Sequence, residues 1–387
     1  MRITDIREVA VPLKSTLRNA VFDFSEMTTS VVAVLTDQVR DGRPVVGYSF
    51  NSTGRYACGA QMRDRFIPRI LNASPDSLLD ASGANIDPAR VLAAMMQREK
   101  PGGHTERSVA IGTIEVAVWD AVAKIERKPL HRVLAERYSG GTVLEKIPCY
   151  VGGGWYEPGK GIPELLDEIR IKFGQGYDVM KIKVGGAPLE EDIRRVEAAL
   201  ELVGDSKRLA VDANAGFDRD RSLAYAKAFG RYQLKWFEEP TDPLNYALLS
   251  EFSGTYGAAI GTGENLFSTQ DIENLIHFGG LQPARDFIQI DVPQSYGIVQ
   301  FARTLEMMRR HGWDRSRVFP HGGNQMTLHV VGGFGLGGCE AYPGVFGAFA
   351  GFADDAQVEA GWLRLPDRPG IGFEAQDALY AIMKAMG

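Results

Sequence analysis

The sequence predicts an α/β protein: a parallel barrel of repeated strand and helix, preceded by an α+β unit. Three observations lead there. From about residue 146, short apolar runs alternate with amphipathic segments: "YDVMKIKV", "EEDIRRVEAALELVG", "RLAVDAN", "DRSLAYAKAFGRY" and "LKWFEEP". Strand and helix repeated in that order make a parallel sheet. Second, polar residues close successive apolar runs at near-constant spacing, with Lys183, Asp212, Glu238, Glu264, Asp291 and His321 following one another at 29, 26, 26, 27 and 30 residues. A strand, a helix and two connections occupy roughly 30 residues when eight units make a barrel of about 250. Third, residues 1 to about 100 hold strand-like pieces, "TTSVVAVLTD" and "RPVVGYSF", followed by helical sequence, the order of an α+β unit.

Composition bounds the function. The 387 residues are 44% apolar and 24% charged, an ordinary globular composition with room for two domains. The net charge of −6 has no basic block against it, which argues against a nucleic-acid surface and for a small metabolite. Cys58, Cys149 and Cys339 are odd in number and widely spread, so reduced thiols are expected rather than a disulfide framework or a cysteine-ligated metal. "MRITDIREVAVPL" lacks the apolar core of a secretory signal, and no run is long enough to span a bilayer; a cytoplasmic protein without membrane partners is expected.

Between the two units, Val109, Ile111, Ile114, Val118, Ala121, Val122 and Ile125 recur at helical spacing, and Pro129 starts a second helix. The strand "YDVMKIKVGG" then poses a problem. Side chains alternate along a strand, so Lys181 and Lys183 share one face while Met180, Ile182 and Val184 take the other. Two ammonium groups on an otherwise apolar strand need anionic partners.

The polar residues of the repeat supply them. Singly, an Asp or Glu at a strand end caps the next helix, a histidine before "GGNQ" belongs to a loop, and paired lysines mark an exposed edge. Six such residues in one register are better explained as the mouth of a barrel; an open doubly wound sheet would gather its ligand at one switch point. Glu239 and Asp242 are expected to do structural work, and His104, His131, His277, His311 and His329 show no comparable placement.

Asp212, Glu238 and Glu264 on adjacent strands can converge on one hard divalent cation, and oxygen-only ligation favours Mg²⁺ over zinc. Lys183, beside Lys181 and the cation, is expected to have a lowered pKa and to act as a base. Asp291 can hold one ring nitrogen of His321 and leave the other for the substrate. Proton abstraction beside a carboxylate, through an enediolate, is the chemistry such a site suits. "GFGLGG" fits a dinucleotide glycine pattern without the acidic residue that should follow. "DANAGF" has Gly216 and Phe217 where a calcium loop wants an oxygen ligand and a glycine.

The motif set "MKIKVG", "VDANAGF", "WFEEP", "GTGENL", "QIDVPQSYG" and "FPHGGNQ" resembles the mandelate-racemase subgroup of the enolase superfamily. The resemblance covers nearly the whole chain and implies a (β/α)7β TIM-like barrel over residues 128–357. It implies an α+β capping domain over 1–127, rejoined by 358–387. "RNAVFDFSEMTTS", "VGYSFNSTGRY", "MMQREKPGGHTERSVAIGT" and "HGGNQMTLHVVGGFGLGGCEAYP" are further similar to the D-tartrate dehydratases of that subgroup. "FEEPTDPLNY" and "DANAGFDRD" follow the broader subgroup.

By this resemblance Asp212, Glu238 and Glu264 are the Mg²⁺ ligands, Lys183 is the base, His321 with Asp291 is a dyad, and Lys181 modulates its neighbour. Glu340 would lie near a substrate carboxylate, with Lys100, Asn51 and Tyr56 as substrate contacts from the cap. The implied reaction is dehydration of a hydroxy diacid, D-tartrate to oxaloacetate, in a homo-oligomer. Racemisation or epimerisation of a 2-hydroxy acid by the same two bases is the first alternative. A metal-binding scaffold without chemistry is the second.

Overall fold

The computed structural model describes residues 1–387. The chain opens with an antiparallel meander of β1 (Ile3–Pro12), β2 (Thr28–Arg40) and β3 (Arg43–Phe50), in that spatial order. Only Asp41 and Gly42 join β2 to β3, both at positive φ, 51° and 74°. A two-residue hairpin needs that geometry to match the strand twist, and Asp-Gly tolerates it.

The helix Glu106–Ile125 packs across β2 and β3. It is apolar nearly all round because the meander covers one side and the barrel the other. A Cβ at Gly47 of β3 would collide with Ala117 and Ala121 of this helix, and one at Gly112 with Pro293 of the barrel. Two buried carboxylates fix the sandwich. Asp120 accepts the N–H groups of Tyr48 at 2.8 Å and Ile371 at 2.6 Å, and pairs with Lys124 at 2.8 Å. Glu115 accepts from the N–H groups of Ile298 at 2.7 Å and Val299 at 2.9 Å. Those donors open the helix Ile298–Arg310 and have no partner within it. Burial pushes the Glu115 carboxyl up to about 7.

The barrel follows. β4 (Lys146–Gly153), β5 (Met180–Lys183), β6 (Leu209–Asp212), β7 (Phe237–Glu238), β8 (Ile260–Thr262) and β9 (Phe287–Ile288) pair in parallel and in sequence order. Val318 bridges Ile288 in the seventh position, and β10 (Cys339–Ala341) pairs with β4. The helices Ile162–Gly174, Leu189–Val203, Arg219–Phe229, Tyr246–Tyr256, Thr269–Phe278, Ile298–Arg310 and Gln325–Phe334 alternate with these strands. The architecture is thus the predicted (β/α)7β barrel with an α+β cap. Inside it, Tyr150, Ala210, Trp236 and Phe319 form an apolar floor, with the Tyr150 and Trp236 rings edge to face at 5.0 Å.

β4 extends below its parallel neighbours, leaving Lys146–Pro148 as an edge. β11 (Val358–Glu359) and β12 (Trp362–Arg364) cover it: β12 pairs antiparallel with β4, Leu363 opposite Ile147. The return segment, expected to rejoin the cap from residue 358, therefore extends the barrel sheet first. Beyond it the segment reaches the meander, where the Phe373 ring lies 6.0 Å from that of Phe50 and, on the helix Asp377–Lys384, the Tyr380 ring lies 6.2 Å from that of Tyr48. The three cysteines are buried and free, and no helix is long and apolar enough to cross a membrane.

A buried histidine pair joins the helix Leu130–Tyr138 to Gln325–Phe334. The His131 backbone N–H donates to His329 Nδ1 at 3.1 Å, and the two Nδ1 atoms lie 3.2 Å apart. Burial pushes His131 down to about 4 and holds His329 well below the usual histidine range. An unfolded histidine titrates near pH 6.5, so between about 6.5 and 4 the unfolded chain binds more protons, and stability is lost as the pH drops through that window. For His131 the contribution, complete above about pH 6.5, is on the order of 3 kcal/mol. Glu115, with its raised carboxyl, has the opposite sign, so the test is a difference. Denaturant unfolding at pH 7.5 and pH 5 should show the parent losing more stability on acidification than His131→Gln; equal losses would contradict this reading.

Candidate active site

The two lysines of β5 find their anions inside the barrel. Lys183 Nζ lies 2.5 Å from Asp212 Oδ2. Lys181, deeper and 1% exposed, pairs with Glu238, with Glu340 at 2.6 Å and with Asp212 at 3.3 Å. Burial alone would lower Lys181, but these carboxylates outweigh it and hold its ammonium well above the ordinary lysine range. Burial likewise opposes ionisation of Asp212, and Lys183 and Lys181 reverse the effect, holding its carboxyl below the usual range.

The other residues of the repeat complete the mouth. Glu238 Oε2 accepts from Trp236 Nε1 at 2.7 Å and Gln289 Nε2 at 2.6 Å. Glu264, just beyond β8, lies 3.7 Å from His321 Nε2. His321 Nδ1 sits 2.8 Å from Asp291 Oδ2, whose other oxygen accepts the Gln294 N–H at 3.0 Å. The Gln294 side chain donates to the carbonyls of Ser52 and Thr53, tying the cap loop to the dyad. Glu340 accepts from the Tyr342 hydroxyl at 2.7 Å. The fold thus brings together Lys183, Asp212, Glu238, Glu264, Asp291 and His321, each at or just beyond the carboxyl end of a barrel strand, with Lys181 and Glu340 inside β5 and β10 beneath them.

Carboxylates outnumber cations here. Burial and the charges of Asp212, Glu340 and Glu264 push Glu238 up to about 8 against the pull of Lys181. Burial disfavours a charged His321, yet Glu264, Asp291 and Glu340 raise it to about 10. An all-oxygen donor set with surplus negative charge fits a hard divalent cation. Asn214 adds a buried Oδ1 without a partner beside Asp212. Asp212 and Glu238 are turned toward the lysines, however, and the one carboxylate–histidine triad whose ligand atoms all lie within 4.8 Å is elsewhere, at Glu273, His277 and His311.

Two expectations need correction, and two further cap residues lie apart from the cluster. Glu239 is not a helix cap: φ of 40° turns it into the mouth, where Asn265 Nδ2 donates to its oxygens at 2.9 and 3.0 Å. Asn51, proposed as a substrate contact, is fully buried in the cap. Its side-chain oxygen accepts from Thr29 Oγ1 and the Ser30 N–H, and its amide donates to the Arg55 carbonyl. It shapes the loop instead. Tyr56 and Lys100 point to solvent, and no hydrogen bond or ion pair joins either side chain to the cluster. The cap cation that does reach the mouth is Arg55, which donates to Asn265 Oδ1 at 2.6 Å and lies over the Phe267 ring at 4.7 Å. A lone arginine within "NSTGRY" was the available signal. Trp155, whose ring lies 4.7 Å from Lys183 Nζ, had none.

The family model described as "Enolase C-terminal domain-like" matches residues 164–379. The chain belongs to the enolase superfamily. Among curated members it is 28% identical over 355 residues to the L-talarate/galactarate dehydratase of Salmonella typhimurium, covering 90% of this chain and 81% of that protein. It is 27% identical over 374 residues to the 3,6-anhydro-alpha-L-galactonate cycloisomerase of Streptomyces coelicolor, covering 95% and 94%. In three dimensions it resembles a racemase from Streptomyces coelicolor A3(2) crystallised with bound magnesium, at TM-score 0.76 and 24% identity over 97% of this chain and 99% of that one. In this enolase-superfamily chain the polar series of the sequence therefore lines the mouth of the family's barrel.

Proposed function

We propose that this chain is a Mg²⁺-dependent acid-sugar dehydratase, acting on a hydroxy diacid with D-tartrate as the leading substrate and oxaloacetate as product. The observation that carries the proposal is the pairing of two proton-transfer groups across one carboxylate-rich mouth. Lys183 stands on the second strand, and the His321–Asp291 dyad stands past the sixth and seventh. The talarate/galactarate dehydratase among the curated relatives supports the acid-sugar dehydratase class of this reading.

Asp212, Glu238 and Glu264 would hold the cation, which when bound supplies Lewis-acid stabilisation for charge developing on the substrate carboxylate. Lys183 takes the α-proton. Asp212, now 2.5 Å from its ammonium, is also a residue the cation would claim, so the base and the ligand set are linked. Lys181 stays charged between Glu238 and Glu340 and keeps a positive field under Lys183. His321, held by Asp291 and facing the mouth through Nε2, gives its proton to the departing β-hydroxyl, which leaves as water. The enol that remains becomes the 2-keto acid.

A second reading has a specific observation behind it. Lys183 and His321 reach the mouth from separate strands, so they could exchange one α-proton between faces without elimination, as in a racemase or epimerase. One assay separates the two: D-tartrate, galactarate, talarate and arabinonate are incubated with enzyme and Mg²⁺, and 2-keto acid is measured beside optical rotation. Keto acid from one of these acids supports dehydration, and rotation change without keto acid supports the second reading. Neither signal with any of them would overturn both.

The ligand set has its own test. Glu264→Gln removes one anionic oxygen and should weaken Mg²⁺ binding roughly tenfold or more. The metal-free protein should lose no stability, because a charge leaves a crowded cluster. Calorimetric titration with Mg²⁺ checks this, and unchanged affinity would remove Glu264 from the set.

A further inference from the structure

Three side chains unused by the barrel chemistry meet on the outer surface, where two neighbouring helices end. Glu273 and His277, four residues apart on the helix Thr269–Phe278, share one face. His311 is the C-cap residue of the adjacent helix Ile298–Arg310. The rings of His277 and His311 pack edge to face at 4.7 Å, and His311 Nε2 lies 3.6 Å from Glu273 Oε1. Ligand atoms of all three come within 4.8 Å of one another.

We propose that Glu273, His277 and His311 form a surface site for Zn²⁺ or a similar borderline transition-metal ion, separate from the all-oxygen mouth of the barrel. Two imidazoles and one carboxylate select such an ion over Mg²⁺, which prefers oxygen and an octahedron. Three protein ligands leave a tetrahedral ion one position for water. The site lies at the carboxyl ends of two helices, the negative ends of their dipoles, which favours a cation. The helices are already joined by the hydrogen bond between Thr269 and Thr304 hydroxyls at 2.8 Å, so little ordering is needed to bring His311 to the other two. The ion would clamp the fifth and sixth barrel helices together. This assignment is independent of the activity proposed above.

The experiment uses protein saturated with Mg²⁺, so that the barrel mouth is filled, and titrates Zn²⁺ by calorimetry and Co²⁺ by visible absorption. One equivalent should bind the parent, with nitrogen-ligated Co²⁺ bands, and Zn²⁺ should raise its melting temperature. His277→Gln and His311→Gln should each lose that equivalent and that rise, while Glu264→Gln keeps both. His277 is exposed, so His277→Gln should melt like the parent when Zn²⁺ is absent. No equivalent in the parent, or the same equivalent at the same affinity in both histidine variants, would overturn the site.

Discussion

Lys183→Ala should lose turnover by roughly 10³- to 10⁴-fold, the upper range for removing a positioned general base, and should also stop exchange of the substrate α-hydrogen with solvent. Both losses follow from one cause, since no carbanionic intermediate forms without a base on that face. The substitution also strips Asp212 of the ammonium at 2.5 Å. An unpaired buried carboxylate costs stability unless a cation replaces the lysine, so Mg²⁺ should bind Lys183→Ala at least as tightly as the parent. Calorimetry with Mg²⁺ and a thermal melt in its presence would then separate a missing base from a collapsed site. Weak Mg²⁺ binding together with a low melting temperature would mean that Lys183 acts as a structural partner of Asp212.

His321→Asn should cut keto-acid formation by roughly 10²- to 10⁴-fold and leave α-hydrogen exchange largely intact. Asparagine keeps a side-chain hydrogen bond within reach of Asp291 but has no acidic proton for the leaving hydroxyl. Lys183 needs no help from His321 to take the α-proton or to return a solvent proton from the same face. The substituted enzyme would therefore wash deuterium into unreacted substrate.

The barrel and its polar ring were legible because both rest on local periodicity. Alternation along "MKIK" sets Lys181 and Lys183 on one face, and the recurring unit puts Asp212, Glu238 and Glu264 at equivalent strand ends. What escaped depends on backbone detail or on contacts far apart in the chain. Glu239 reads as the outward neighbour of Glu238, and only a positive φ turns it inward. Asn51 looks like a loop residue open to substrate. The pairing of β2 with β3 places it beside Thr29 and Ser30, and burial there makes it a hydrogen-bond hub. β12 could not be seen as a strand on β4, because its pairing joins Leu363 to Ile147 across almost the whole barrel. His277 and His311 each read as unremarkable, since only the packing of two barrel helices brings them together.

The central claim is that Lys183 abstracts the proton while His321 completes the elimination, and one measurement addresses it directly. Parent, Lys183→Ala and His321→Asn, each saturated with Mg²⁺, are incubated in D₂O with the substrate that the acid panel identifies. Proton NMR then follows loss of the α-hydrogen signal and growth of the keto-acid signal. The predicted result is keto acid from the parent, exchange with little keto acid from His321→Asn, and neither from Lys183→Ala. Exchange at parental rate by Lys183→Ala, with none from His321→Asn, would contradict the assignment and place the abstracting base on the histidine side of the barrel mouth.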